Sequence, residues 1–280
     1  MHLVIQGAQI ETGDLKALAK LSSAAAIEQI SATAFRLRNA SASPDMATRI
    51  AELCTSARLD FAWVAQHRRL ADFRLLVMDM DSTLITIETI DELADLVGLK
   101  REVAAITEQA MRGEIEYNES LRQRVAVLKG LDQSALRRVY DERLELSPGA
   151  ELLLAAAKKH GIQTLLVSGG FTQVTALLKA RLGLDYTHAN TLAVVNGKLT
   201  GDIVGDIVNA DAKRSELLRL RDVLGIQREH IIGIGDGAND LKFMAECGVS
   251  IAYHAKPIVR GQTTHAVNYG GLDAVVNLFD

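Results

Sequence analysis

Val77-Met78-Asp79-Met80-Asp81-Ser82-Thr83-Leu84 closes a mostly apolar run that begins at Phe73. The run ends abruptly in two aspartates one residue apart, followed by hydroxyls. A buried strand has no structural use for two carboxylates at its exit, because charge at a core edge is costly unless it is paired or bound to a cation. In an open parallel sheet the carboxyl ends of the strands face the ligand crevice. Asp79 and Asp81 therefore read as catalytic carboxylates.

Downstream of this strand the pattern becomes helical. Residues 89–97, 100–112, 116–128 and 132–144 carry apolar faces of period 3.6, and Gly98, Gly113 and Gly130 sit where those helices should stop. A helical block at about 87–146, inserted just after an active-site strand, reads as a lid. Beyond it strands and helices alternate. Ser147-Pro148-Gly149 reads as N-cap and first turn of a helix that closes at Lys158-Lys159-His160-Gly161. A strand over 162–167, the turn Ser168-Gly169-Gly170 and a helix over 171–182 follow. Residues 191–195 and 198–204 flank Asn196-Gly197, the preferred type I′ hairpin turn. A helix over 212–224 leads to strands over 231–234 and 249–252. This alternation predicts a mostly parallel sheet with helices on both faces. Upstream, residues 1–70 read as a small βαβαβ unit, with strands over 2–5, 30–37 and 60–65 and helices over 15–21 and 44–58. It has no charged cluster or glycine-rich turn, and nothing in it requires catalysis.

The composition narrows the function classes. A chain of 280 residues, 48% apolar, is long enough for one large α/β domain and something smaller. A formal charge of -4 offers no basic surface for nucleic acid. No apolar stretch approaches the length of a membrane span, and residues 1–20 do not read as a secretory signal. Cys54 and Cys247 lack CxxC spacing and read as reduced, buried thiols of a cytoplasmic protein. His188, His230, His254 and His265 have no ligand spacing, and Asp202 and Asp206 read as exposed hairpin residues.

Three further segments join the aspartates in one crevice if the strands lie side by side. Ser168-Gly169-Gly170 supplies backbone N–H groups and the close approach that phosphate needs. Lys213 lies in the first turn of its helix, where a cation opposes the helix dipole unless it faces an anion. Gly235-Asp236-Gly237-Ala238-Asn239-Asp240 brings three polar side chains to a strand exit, a donor set suited to Mg²⁺. Together they describe phosphoryl transfer. Asp79, at the rigid strand end, is the nucleophile, and Asp81, two residues on, is the acid for the leaving oxygen and then the base for water.

In their order and separations these four segments resemble the motifs of the haloacid-dehalogenase-like phosphatases, from about Phe73 onward. More narrowly, Glu88-Thr89-Ile90-Asp91-Glu92 and Tyr117-Asn118-Glu119-Ser120-Leu121-Arg122-Gln123-Arg124 resemble the phosphoserine phosphatases within that family. Met80 and Tyr117 stand where the family usually has Phe. The resemblance implies an α/β fold: a Rossmann-like, doubly wound parallel sheet over residues 71–280 with a helical cap at about 87–146. It also implies a small N-terminal α+β, ACT-like module over residues 1–70, regulatory or for assembly. The implied reaction is Mg²⁺-dependent hydrolysis of O-phospho-L-serine through an aspartyl-phosphate, the last step of serine biosynthesis. Glu88 would take the substrate ammonium and Arg124 its carboxylate. Ser168, Gly169 and Lys213 would hold phosphate, with Asn239 nearby and Asp240 orienting Lys213. Asp79, the Asp81 carbonyl and Asp236 would hold the metal. The expected partner is a small molecule, and a homodimer is left open. The rivals are a phosphatase for another small phosphomonoester and a phospho-accepting receiver module. The receiver is disfavoured because the acidic pair here includes the nucleophile and a helical lid follows it.

Overall fold

A computed structural model describes residues 1–279 as two sheets joined through a shared apolar cluster. The first is four-stranded and antiparallel. Its elements are β1 (His2–Gln6), α1 (Thr12–Leu21), β2 (Ala26–Ser31), β3 (Ala34–Arg38), α2 (Pro44–Ser56) and β4 (Asp60–Val64). The strand order β2-β3-β1-β4 is that of a split, ferredoxin-like βαββαβ unit. The expected single strand over 30–37 is instead a hairpin, with the chain reversing at Ala32-Thr33. The sequence there lacks the Asn-Gly or Gly that usually marks such a turn. The turn is held by Thr33 N–H on Ser31 Oγ and Gly7 N–H on the Thr33 carbonyl.

The two faces of this sheet differ. Leu3, Ile5 and Leu37 pack against Leu15, Leu18, Ile50 and Cys54 of its own helices. Val4, Ala62 and Val64 point the other way and join the core of the second sheet, beside Phe73, Val275, Leu278 and Phe279. The Asp60 carboxylate accepts the backbone N–H groups of Asn268, Tyr269 and Gly270 at 2.6, 3.0 and 2.8 Å. Arg36 reaches the Phe279 carbonyl at 2.7 Å.

The second sheet starts with β5 (Leu75–Met78), every residue buried. Four helices follow: α3 (Thr89–Asp95), α4 (Lys100–Met111), α5 (Tyr117–Val127) and α6 (Ser134–Glu142). Gly98, Gly113 and Gly130, at the expected breaks, all have positive φ. The block leaves and re-enters the sheet at one point. Ile85 bridges Leu146, Thr86 N–H bonds the Glu145 carbonyl at 3.0 Å, and Ser147 N–H bonds the Leu84 carbonyl at 2.9 Å. Then come α7 (Ala150–Lys159), β6 (Gln163–Phe171), α8 (Thr172–Leu182), β7 (Tyr186–Val195), β8 (Lys198–Val204) and α9 (Ala210–Leu224). The series ends with β9 (Ile231–Gly235), α10 (Leu241–Met244), β10 (Val249–Tyr253), α11 (Pro257–Arg260) and β11 (His265–Val267). The order β11-β10-β9-β5-β6-β7-β8 puts β5 at the centre, with all pairs parallel except the β7–β8 hairpin. The hairpin turns through Asn196 and Gly197, both at positive φ as a type I′ turn requires.

Two local expectations fail. Helix α7 starts at Ala150 with Gly149, not Ser147, at its N-cap, because Ser147 is held in the return bridge to Leu84. Ser168-Gly169-Gly170 is not a turn at a helix N-terminus: β6 continues through it, with a register shift, and α8 begins only at Thr172. Cys54 and Cys247 are buried and free, and burial pushes both thiols up, Cys54 to about 12. His230 and His254 bond backbone carbonyls, and Asp202 and Asp206 are exposed, as expected. Among the described residues no helix is long and apolar enough to cross a membrane.

Candidate active site

Strand β5 lies between β6 and β9, and the chain runs outward from it in both directions, so its carboxyl end is a topological switch point. Asp79 follows β5 directly, Asp236 follows β9, and Ser168 and Gly169 occupy the end of β6. Beyond Asp79 the backbone makes one tight turn, Met80–Leu84, in which Ser82 takes a left-handed φ of 55° and Ile85 N–H closes on the Met80 carbonyl at 3.0 Å. This turn swings Asp81 back over the strand end.

The two carboxylates are held by one oxygen each. Asp79 Oδ1 accepts the Met80 N–H at 2.7 Å and faces Lys213 Nζ at 2.8 Å. Asp81 Oδ1 accepts the N–H and hydroxyl of Thr89 at 3.0 and 2.5 Å. Among the described residues neither Oδ2 takes a hydrogen bond from the protein, so each acid keeps one oxygen for chemistry. A Cβ on Gly170 would lie 2.7 Å from Asp81 Oδ2 and 2.6 Å from Met80 Cε, so any larger residue there would displace these two side chains.

Lys213 is fully buried behind the floor, with its ammonium on Asp79 and, at 2.8 Å, on Asp240. Two of its three protons are thereby committed and one remains. Asp240, itself buried, gives its other oxygen to the Gly237 N–H at 3.1 Å. Asp236 Oδ1 accepts the Thr83 hydroxyl at 2.9 Å.

Four aspartates around one buried ammonium leave a surplus of negative charge. Burial raises the Asp81 and Asp236 carboxyls to about 6 each, opposed at Asp81 by the Thr89 hydrogen bonds and reinforced at Asp236 by the Asp240 charge. Asp79 is pushed up by burial and then by Asp240, against the pull of Lys213. Burial works to lower the Lys213 ammonium, but Asp240 and Asp79 overcome it and hold the lysine charged. Carboxylate oxygens of Asp79, Asp236 and Asp240 all lie within 4.8 Å of one another. An all-oxygen donor set carrying surplus negative charge fits a hard divalent cation. Asp240 has both oxygens engaged by protein donors, so it serves Lys213, and Asp79 and Asp236 are the better placed to bind an ion.

Above this floor lies a cavity of about 390 Å³ roofed by α4 and α5. Asp79, Asp81, Glu88, Arg124, Gly169 and Asn239 all contribute to its wall. Ser168, Lys213 and Asp240 sit behind it, wholly buried. Glu88 keeps solvent contact within the cavity and accepts the Ser82 hydroxyl at 2.7 Å, yet the walls, and then the Asp81 charge, raise its carboxyl to about 7. Arg124 forms no ion pair among the described residues, and its Nε reaches only the Ser120 carbonyl, at 3.4 Å.

Comparison with known proteins shows the family of the chain. A family model for haloacid dehalogenase-like hydrolases matches residues 76–245, more than half of the chain. The chain belongs to the haloacid dehalogenase-like hydrolases. A phosphoserine phosphatase from Albidiferax ferrireducens is 53% identical over 216 residues, 75% of this chain and 91% of that protein. Among solved structures, a haloacid-dehalogenase-family hydrolase from Salmonella enterica serovar Typhi superposes with a TM-score of 0.90 at 33% identity, covering 100% of this chain and 98% of the other. A probable phosphoserine phosphatase from Vibrio cholerae gives 0.85 at 34% identity, covering 99% and 86%. Residues 3–51 match a domain family of unknown function, DUF4072.

For a hydrolase of this family the sequence reading overlooked several supports. Thr89 is the first residue of α3 and both its donors go to Asp81, a role foreshadowed only by its place beside Glu88. Asn190 is buried in β7, its amide N–H on the Gly169 carbonyl at 2.7 Å and its Oδ1 accepting the Val208 N–H at 2.8 Å. Its neighbours Thr187, His188 and Thr191 are polar too, so the sequence leaves no signal that sets it apart. Asn209 caps α9 through the N–H groups of Asp211 and Ala212 and donates to Asn118 Oδ1 of α5 at 3.1 Å, which ties the lysine-bearing helix to the cavity roof.

Proposed function

We propose that the chain hydrolyses O-phospho-L-serine to L-serine and phosphate in a Mg²⁺-dependent reaction, through an aspartyl-phosphate on Asp79. One observation carries the substrate assignment. A carboxylate, Glu88, and an arginine without an ion-pair partner, Arg124, line the same cavity as the Asp79/Asp81 pair without bonding each other. An ammonium suits the first, and a carboxylate pairs bidentately with the second. A substrate lacking both groups would leave both charges idle.

In this reading Asp79 attacks phosphorus and the phosphate–serine bond breaks. The proton on Asp81 passes to the departing serine hydroxyl oxygen, for which a carboxyl raised to about 6 is suited. Asp81 then takes a proton from the water that cleaves the aspartyl-phosphate and returns Asp79 to its starting state. The Ser168 hydroxyl, the Gly169 N–H and the remaining Lys213 proton hold the phosphate oxygens, with Asn239 at the edge. Asp240 keeps Lys213 aimed. Asp79, the Asp81 carbonyl and Asp236 would hold Mg²⁺, whose contribution when bound is to neutralise phosphate charge and favour ionised Asp79. The helical block, about residues 87–146, acts as the cap that excludes bulk water. Residues 1–70 we read as an ACT-like regulatory or assembly module, and the two free, buried cysteines support a cytoplasmic, reducing location.

The test is phosphate release from phosphoserine, phosphothreonine, phosphoethanolamine and a sugar phosphate, with Mg²⁺ and with EDTA. Strong preference for phosphoserine, lost on chelation, is the expected result. Equal turnover of phosphoethanolamine would remove the Arg124 assignment and leave a less selective phosphatase.

A further inference from the structure

Ser120 lies on the wall of the catalytic cavity, only 1% exposed, and its hydroxyl has no hydrogen-bond partner. A serine within a helix ordinarily returns its hydroxyl to the carbonyl four residues back. Here the Glu116 carbonyl takes the Ser120 N–H at 2.9 Å and the hydroxyl does not follow. A buried hydroxyl left this way costs stability, and alanine, a better helix former, would avoid the cost. The arrangement makes sense if a bound molecule supplies the missing partner.

The neighbour that identifies the partner is Arg124. It sits four residues on, on the same face of α5, and its Nε bends back to the Ser120 carbonyl at 3.4 Å. The guanidinium and the hydroxyl thus share one patch of wall, and an anion gripped by the first comes within reach of the second. We infer that the Ser120 hydroxyl is a specificity-determining contact that donates a hydrogen bond to the substrate carboxylate beside Arg124. The inference rests on the phosphoserine reading and deepens it: the carboxylate is recognised by a fork and a hydroxyl on successive turns of one helix. Glu88, at the N-cap of α3, is left to the ammonium.

The experiment compares wild type, Ser120→Ala, Ser120→Cys and Arg124→Ala on O-phospho-L-serine and on phosphoethanolamine, which lacks the carboxylate, together with the Tm of each protein without ligand. Ser120→Ala is expected to lower the preference for phosphoserine about tenfold, as loss of one hydrogen bond to a charged group should, with the effect in KM rather than kcat. Its Tm should match or exceed that of wild type, since no protein contact is lost. Ser120→Cys, close in volume with a weaker donor, should fall between the two. A preference unchanged by Ser120→Ala but abolished by Arg124→Ala overturns the Ser120 contact alone. Equal loss on both substrates, or a lowered Tm, also overturns it by marking a structural role. A wild type that does not distinguish the two substrates overturns this inference and the phosphoserine reading together.

Discussion

At the residue scale, Asp79 loads both of its donors onto one oxygen and leaves the other bare. Asp79→Asn keeps the shape but removes the nucleophilic charge, and phosphate release should fall by at least ~10³-fold, as expected when a covalent nucleophile is lost. Steady-state phosphate assays check this. The charge surplus predicts a pH effect on stability. Asp81 and Asp236 have folded carboxyls raised to about 6, above the usual carboxylate range. The folded state therefore holds more protons than the unfolded state between about pH 4 and pH 6, and stability falls as pH rises through that window. In EDTA the Tm should decline from pH 5 to pH 7. Added Mg²⁺ should restore it more at pH 7 than at pH 5, where protons already offset the charge. A metal-free Tm that rises across this range would contradict the electrostatic account. The carboxylates were legible because charge at the exits of apolar strands is conspicuous in sequence, and Lys213 because a cation in the first turn of a helix opposes the dipole. Thr89, Asn190 and the idle hydroxyl of Ser120 were not, because a lone polar residue reads as surface until its burial and partners are seen.

At the scale of elements, the phosphate-binding segment is built differently from its expected form. Residues 168–171 extend β6 rather than opening a helix, so the N–H of Gly169 belongs to a strand end pinned by Asn190. The space above Gly170 is closed by Met80 and Asp81. Gly170→Ala would push the Asp81 carboxylate, which Thr89 holds in place, and a displacement of this size should lower kcat by about 10²-fold with the fold retained. Circular dichroism with kinetics tests it. Periodicity read the helices of 87–146 well because each has an apolar face and the first three have a glycine stop. It missed the Ala32-Thr33 hairpin, whose turn carries neither glycine nor asparagine, and the true start of α7, where a tertiary bridge at Ser147 overrides a good capping sequence.

At the scale of the whole molecule, the first sheet is clamped to the second by apolar contact and by the Asp60 carboxylate on three backbone N–H groups. Asp60→Ala would strand those donors in a partly buried place, and should cost at least ~2 kcal/mol. Because an apolar cluster spans both sheets, calorimetry should show a single transition for wild type and variant, at lower temperature in the variant. Two resolved transitions in wild type would refute the shared core. Sequence could place the two units in order but not join them, since no pattern in residues 1–70 names residues 268–279 as the surface they need.

That union also sets a timetable. Asp60 and Asn268 are 208 residues apart in the chain, and Arg36 and Phe279 are 243 apart. At ordinary elongation rates about 10 to 40 seconds separate the emergence of Asp60 from the ribosome and that of Asn268. For that interval Val4, Ala62 and Val64 form an uncovered apolar face on a nascent chain, and the catalytic unit has no finished flank until the late segment arrives to close it.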